Sequence, residues 1–294
     1  MLSILIPTYN YGLEPLLKAL KVQIAEATET VEVLVCDDNS SNLELHQQNL
    51  ETSLSLGFEY HRNKQNLGRT ATRNYLAENA NYDCLLFLDA DVLPVHSDFV
   101  KKYLAALSEG TDVICGGIAY MAEKPDNTDQ MLRWKYGHKK EMKSVAQRRQ
   151  NPFTVVSANL LVTKTIFKNC NPKDNSSYGL DNIFSDCLKA QNATVEHIDN
   201  PVYHLGLESN QAFVKKSIQS IDTTILAEAE GSIESNSRPI QKAYIKLKKW
   251  GAIPFFKVFT KLFKSKLESN LKAANPSIFW FDIYRLNYYL SKKR

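Results

Sequence analysis

Asp89 and Asp91 stand one residue apart in LLFLDADVLP, directly behind four apolar residues that read as a buried strand. A strand end places both carboxylates in a loop where they can turn toward one point. Two hard oxygen donors suit a magnesium or manganese ion that keeps open positions for phosphate oxygens. The plainer alternative is that one Asp caps a turn while the other is solvated. Asp38, in VCDDNSS, follows another apolar run. There a carboxylate can accept hydrogen bonds from a base N–H or a ribose hydroxyl, or it can be an ordinary turn residue. In NLGRTATRNYLAENA, Arg73, Leu76, Ala77 and Ala80 fall at i, i+3, i+4 and i+7, so the arginine shares a helix stripe with small apolar residues. A cation there needs a partner, either a phosphate or a carboxylate such as Asp83 or Asp38.

The elements that position these groups alternate. Apolar runs at 2–6, 31–36, 58–61, 84–88 and 113–115 read as strands. Between them, Leu13, Leu16, Leu17, Leu20 and Ile24 recur at helical spacing behind Pro15, and helical segments are predicted over 70–80 and, behind a Ser97 cap, over 98–107. Strands separated by helices predict an α/β fold with a doubly wound, mainly parallel sheet. Ligands of such sheets sit at the carboxyl ends of strands, and Thr8–Asn10, Asp37–Ser40 and Asp89–Asp91 end strands one, two and four. The three clusters are expected to share one crevice. Beyond residue 116 the pattern loosens into a loop-rich stretch with Arg133, Trp134 and Tyr136, a strand-like FTVVSANLLV, and a helix beginning near Asp181. Residues 211–294 read as a mostly helical extension to a body spanning 1–210, itself divided near residue 115.

The chain has 294 residues and a formal charge of +4, unevenly placed. From residue 240 onward thirteen Lys or Arg face only Glu268 and Asp282, a net +11, which leaves −7 on the first 239 residues. Such asymmetry suggests a body with its own task and a tail drawn to something anionic. Five cysteines without a Cys-x-x-Cys pair argue against a disulfide framework or a zinc site and toward a reducing, cytoplasmic setting. The opening MLSILIPTYN suits a first strand better than a signal peptide, and no apolar run approaches the roughly 20 residues of a membrane span.

In sequence order, SILIPTYN, VEVLVCDDNSS, NKQNLGRTATRNYLAENA and LLFLDADVLP together resemble the family 2 glycosyltransferases of the GT-A fold. The resemblance continues more faintly through YGLDNIFSDCL and HIDNPVYHLGLE and covers roughly residues 1–207. It implies a nucleotide-binding half, 1–115, and an acceptor half, 116–210. By the same resemblance Thr8 and Tyr9 lie against the nucleobase, Asp38 binds the uracil or ribose, and Arg73 assists at the base or diphosphate. Asp89 touches the ribose or a metal-bound water, Ala90 lies beside it in the donor crevice, and Asp91 ligates Mn2+ or Mg2+. His204 stands where some relatives place a further metal ligand. The implied reaction moves a sugar from a nucleotide sugar, UDP-linked, to a hydroxyl of a glycan or lipid-linked acceptor, with inversion. Relatives carry the catalytic base in a Glu-Asp pair opening a helix. YGLDNIF departs from that pattern, leaving Asp181 as the base with Asp174 and Asp186 as fallbacks.

An NAD-dependent oxidoreductase is excluded because PTYNYG has one glycine where Gly-x-Gly-x-x-Gly is required. A non-catalytic sugar-nucleotide or glycan-binding module is the competing reading, raised by the altered base motif. No nucleic acid partner is expected. Arg133, Trp134 and Tyr136 either bind an acceptor sugar or pack. In PFFKVFTKLFKSKL, Phe255, Phe256, Phe259, Leu262, Phe263 and Leu267 fall in one arc at about 100° per residue, with Lys257, Lys261 and Lys264 opposite. That pattern fits a basic helix lying on an anionic membrane, or one packing its aromatic face on the body or on a second subunit.

Overall fold

The computed structural model describes residues 1–172 and 179–293. Among the described residues ten strands run β1 (Leu2–Thr8), β2 (Val31–Asp37), β3 (Glu59–Arg62), β4 (Cys84–Leu88), β5 (Val92–Pro94), β6 (Val113–Cys115), β7 (Ile118–Ala119), β8 (Asn159–Thr163), β9 (Val195–His197) and β10 (Val202–His204). Seven form one sheet in the order β3-β2-β1-β4-β8-β6-β9, and β5-β10-β7 form a second. The β1–β2, β1–β4, β2–β3 and β6–β9 pairs are parallel, as the alternation of strands and helices predicts, while β8 runs antiparallel to both β4 and β6. Every residue of β1 is buried, which is why it reads as a largely apolar run, with Ser3 and Thr8 as its polar members. Helix Glu14–Ala25, with proline in its first turn, packs Leu16, Leu17 and Leu20 into the core formed with Ile4, Val33, Leu86 and Phe99.

The first helices keep their expected places. The 70–80 expectation is met by Arg69–Asn79, and the 98–107 expectation by Phe99–Ala106, where the cap residue is Asp98 rather than Ser97 and no side chain bonds the helix end. FTVVSANLLV contributes only its last part to β8, because Ser157 and the residues before it leave the ladder. The cysteine expectation needs correction. Cys170 and Cys187 are disulfide-bonded, whereas Cys36, Cys84 and Cys115 carry free thiols, so the cysteines no longer argue for a reducing compartment.

Two compact units emerge. The first comprises Met1–Met121, Met142–Ser176 and Leu188–Gly206, and holds both sheets. The second comprises Ala122–Glu141, Ser177–Cys187 and Leu207–Arg294, so two segments that the sequence pattern groups with the body belong with the C-terminal helices instead. Its long helices are Asn210–Ala229, Pro239–Lys249, Ile253–Leu262 and Ile278–Lys292. Leu132, Phe213, Ile278 and Phe281 form its core, against which Tyr136 packs.

Candidate functional site

β4 delivers Asp89 to the sheet's carboxyl edge, and its charge is met by two arginines of the neighbouring helix Arg69–Asn79. Arg69 Nη2 donates to Asp89 Oδ2 at 2.6 Å and Arg73 Nη2 to Oδ1 at 2.7 Å. Arg69 also reaches Ser157 Oγ and Arg73 the Ser157 carbonyl, so the start of β8 is tied to the same cluster. Burial alone would push the Asp89 carboxyl up, but Arg69 and Arg73 bring it down to about 2. Arg73 therefore pairs with Asp89, a carboxylate that the sequence reading did not name as its partner. Arg69 escaped the sequence reading, although its spacing of four residues from Arg73 on one helix face was a usable signal.

Asp91 turns elsewhere. β5 pairs antiparallel with β10, setting Val92 opposite His204, and Leu205 N–H donates to the Asp91 carbonyl at 2.8 Å. The pairing brings His204 Nε2 to 3.5 Å from Asp91 Oδ2. The Tyr120 ring lies 5.5 Å from the His204 ring, which fixes the imidazole from one side. Gly206 is there for space: a Cβ at this position would sit 1.9 Å from Asp91 Oδ2. Burial and the Asp91 charge together push the Tyr11 hydroxyl above its ordinary pKa. Among the described residues no three His, Cys, Asp or Glu groups cluster at metal spacing, so the protein itself offers the pair Asp91 and His204, with Asp89 held by arginines.

Asp38 is buried, and its carboxylate accepts from Asn63 Nδ2, Leu67 N–H and Gly68 N–H, each at 2.8 Å. Gly68, at φ +85°, is the residue from which helix Arg69–Asn79 springs. Asp38 thus secures the start of the helix that carries both arginines. Its neighbour Asp37 accepts from Ser40 N–H and the Tyr60 hydroxyl and lies 3.2 Å from His46 Nδ1. Thr8 is buried at the end of β1, with its carbonyl accepting from Asp38 N–H, whereas Tyr9 is exposed. Ala90, between the two aspartates in sequence, packs its half-buried side chain on the core.

The residues expected on the acceptor side lie in the second unit. Asp181 is the first residue of helix Asp181–Ala190, and the buried guanidinium of Arg238 feels the charges of both Asp186 and Asp181 while donating to the Asn182 carbonyl at 2.6 Å. Asp174 lies outside the described residues. Arg133 is buried, pairs with Glu141 at 3.0 Å and covers the Phe213 ring, and Tyr136 packs between Phe213 and Phe281. Both are packing residues. Trp134 lies against His138, ring centroids 4.3 Å apart and planes tilted by 51°, and lines a surface cleft with Lys139 and Phe279.

The chain is 33% identical over 116 residues to the uncharacterized glycosyltransferase YfnE of Bacillus subtilis (strain 168), a stretch covering 39% of this chain and 29% of that protein. The chain therefore spans less than a third of this relative's length. Among solved structures, the mannosyltransferase PcManGT from Pyrobaculum calidifontis, in complex with GDP-Man and Mn2+, is 14% identical with a TM-score of 0.59, covering 99% of this chain and 86% of that one. Glucosyl-3-phosphoglycerate synthase from Mycobacterium tuberculosis, solved with Mn2+, UDP and glucosyl-3-phosphoglycerate, is 13% identical with a TM-score of 0.52, covering 80% and 81%. At these identities the likeness is one of fold. Residues 3–169, more than half of the chain and the stretch that contains β1, both arginines and both strand-end aspartates, match the profile of Glycosyl transferase family 2, and to that family the chain belongs.

Proposed function

We propose that the chain is an inverting, metal-dependent glycosyltransferase that moves a sugar from a nucleotide sugar, UDP-linked, to a hydroxyl of a glycan or lipid-linked acceptor in cell-surface polysaccharide synthesis. The carrying observation is the contrast between two carboxylates at one strand end. Asp89 is held by Arg69 and Arg73, while Asp91 faces His204 beside a glycine. A divalent ion, Mn2+ or Mg2+, fits the second place: a carboxylate oxygen and an imidazole nitrogen stand 3.5 Å apart where Gly206 leaves room that a Cβ would fill. Bound by Asp91 and His204, such an ion would offset negative charge on the leaving diphosphate.

The chain's own residues account for the rest. Arg69 and Arg73 keep Asp89 ionised and oriented toward the donor's ribose, and Asp38 holds the loop from which both arginines extend. Thr8, Tyr9 and Ala90 line the nucleoside end. The acceptor oxygen bonds to the anomeric carbon as that carbon's bond to the diphosphate oxygen breaks, and the bonding pair leaves with the nucleoside diphosphate. The acceptor's proton passes to a carboxylate, for which Asp181 is the choice and Asp186 or Asp174 the substitutes.

Calorimetric titration with UDP and GDP, with and without Mn2+, tests the donor side, followed by turnover over a panel of nucleotide sugars. UDP binding is expected to need the metal and to vanish with EDTA or in Asp91→Asn. UDP affinity indifferent to both would overturn the assignment. Metal-dependent binding without turnover of any donor would favour the sugar-nucleotide-binding module instead.

A further inference from the structure

Helix Ile253–Leu262 has two unlike faces. On one, Phe259 lies parallel to Trp280 with centroids 6.1 Å apart, and Thr260 Oγ1 donates to Asn287 Oδ1 at 2.9 Å, so this side packs on helix Ile278–Lys292. On the other, Phe255, Val258 and Leu262 are 78%, 59% and 76% exposed. At about 100° per residue these three fall within an arc of about 60°. On the side of Val258, Lys261 follows about 60° and Lys257 about 100° beyond the edge of that arc, and both are exposed. Just ahead of the helix, Trp250 is also exposed, with Lys246 over its ring at 4.5 Å. The expected single aromatic arc is thus split by the fold, with Phe259, Phe263 and Leu267 turned to neighbours and a narrower apolar stripe left outside.

We propose that this stripe docks on an anionic lipid surface, with Phe255, Val258 and Leu262 entering the headgroup boundary and Lys257 and Lys261 meeting lipid phosphates. Charge selects the occupant. Between residues 242 and 272 nine lysines face a single acidic residue, Glu268. A second copy docked on this face would bring the same positive surface against itself, and like charges oppose that contact. An anionic bilayer instead supplies the complementary charge and an apolar layer at the depth that a stripe on a ten-residue helix can reach. Among the described residues no helix is long and apolar enough to cross a membrane, and the surface mode asks for none. The face is read from the second unit alone and does not rest on the transferase assignment.

Cosedimentation of the full chain decides the matter, with vesicles of phosphatidylcholine alone and of phosphatidylcholine mixed with phosphatidylglycerol. The wild-type chain is expected to pellet with the mixed vesicles, weakly or not at all with neutral ones, and less as salt rises. Phe255→Ser/Val258→Ser/Leu262→Ser should abolish pelleting, and Lys257→Glu/Lys261→Glu should weaken it by roughly twentyfold or more, since each lysine near such a surface strengthens binding roughly fivefold. The substituted side chains are exposed, so thermal melts of both variants should match wild type, and UDP titration should match too because none belongs to the donor set. Failure of the wild-type chain to pellet with anionic vesicles at low salt would overturn the proposal, as would equal pelleting by the triple-serine variant. A concentration-dependent dimer that the serine variant abolishes, without vesicle binding, would assign the face to a second copy instead.

Discussion

A single Nη2 of Arg73 donates both to Asp89 Oδ1 and to the Ser157 carbonyl, each at 2.7 Å, joining a helix, β4 and the entry to β8 through one buried nitrogen. Removing Arg73 leaves a mostly buried carboxylate with Arg69 as its remaining guanidinium and a carbonyl stripped of its donor. Arg73→Ala is therefore expected to cost about 3 kcal/mol of stability. Arg69 is 42% exposed at its side chain, and solvent screens its pair, so Arg69→Ala should cost no more than about 1 kcal/mol. Urea denaturation of both variants and the double mutant measures the order and the coupling. Equal costs would mean that burial does not govern the cluster.

Much of this scaffold was legible in the sequence. Strands β1, β2 and β4 are covered on both faces and therefore read as apolar runs, and Asp89 and Asp91 stood out because nothing near them in sequence balanced their charge. What balances Asp89 lies on another element, at Arg69 and Arg73, and only folding brings it within reach. Strand β8 was blurred because Ser157 and Asn159 are polar yet buried. Asn159 is satisfied by the Tyr103 hydroxyl and by the carbonyls of Gly117 and Asn200, partners far away in sequence. A strand ending at His204 is readable in NPVYHLG and is borne out by β10, but three-residue β5 is too short to show a period, so the pairing that seats His204 beside Asp91 left no trace in the pattern.

Gly206 gives a narrow test of that seat. A Cβ there would overlap the Asp91 carboxylate at 1.9 Å, so Gly206→Ala must turn the carboxylate away or move the backbone behind it. Metal-supported UDP affinity is expected to fall roughly 10- to 100-fold, the usual range when a ligand's support is disturbed. Titration of UDP in the presence of Mn2+ checks it. Unaltered affinity together with an unaltered melt would remove Asp91 from the metal assignment.

In the second unit, Glu228 accepts from Tyr289 Oη at 2.9 Å and pairs with Lys293 at 2.5 Å, pinning the end of helix Ile278–Lys292 to helix Asn210–Ala229. Burial alone would raise the Glu228 carboxyl, but Lys293, Gln241 and Tyr289 hold it below the ordinary value. A carboxyl lowered by folding stabilises fully above its unfolded pKa, about 4.3, and that stabilisation is lost as pH falls through the folded value. Glu228→Gln should therefore lower stability at pH 7 by about 1 kcal/mol, with the gap to wild type closing in acid. Thermal melts from pH 7 to pH 3 measure it. A gap that widens in acid would mean the sign is wrong.

The proposed base, Asp181, is open to a test of its own. As first residue of its helix it complements the positive end of the backbone dipole, a structural role that Asn would largely keep through its side-chain oxygen. Proton acceptance is what Asn cannot supply. Asp181→Asn is expected to retain UDP affinity and the wild-type melt while kcat falls about 10²- to 10⁴-fold, the usual contribution of a general base. The pH profile separates the two roles. Loss of a base flattens the acidic limb of kcat/KM, whereas a weakened helix start lowers stability and leaves the limb in place. Asp186, which shares the charge of Arg238 with Asp181, provides the internal control. Its Asn variant should disturb the melt more than the acidic limb. Near-normal turnover in Asp181→Asn would transfer the base to Asp186 or Asp174, and a profile without its acidic limb in one of those variants would show which.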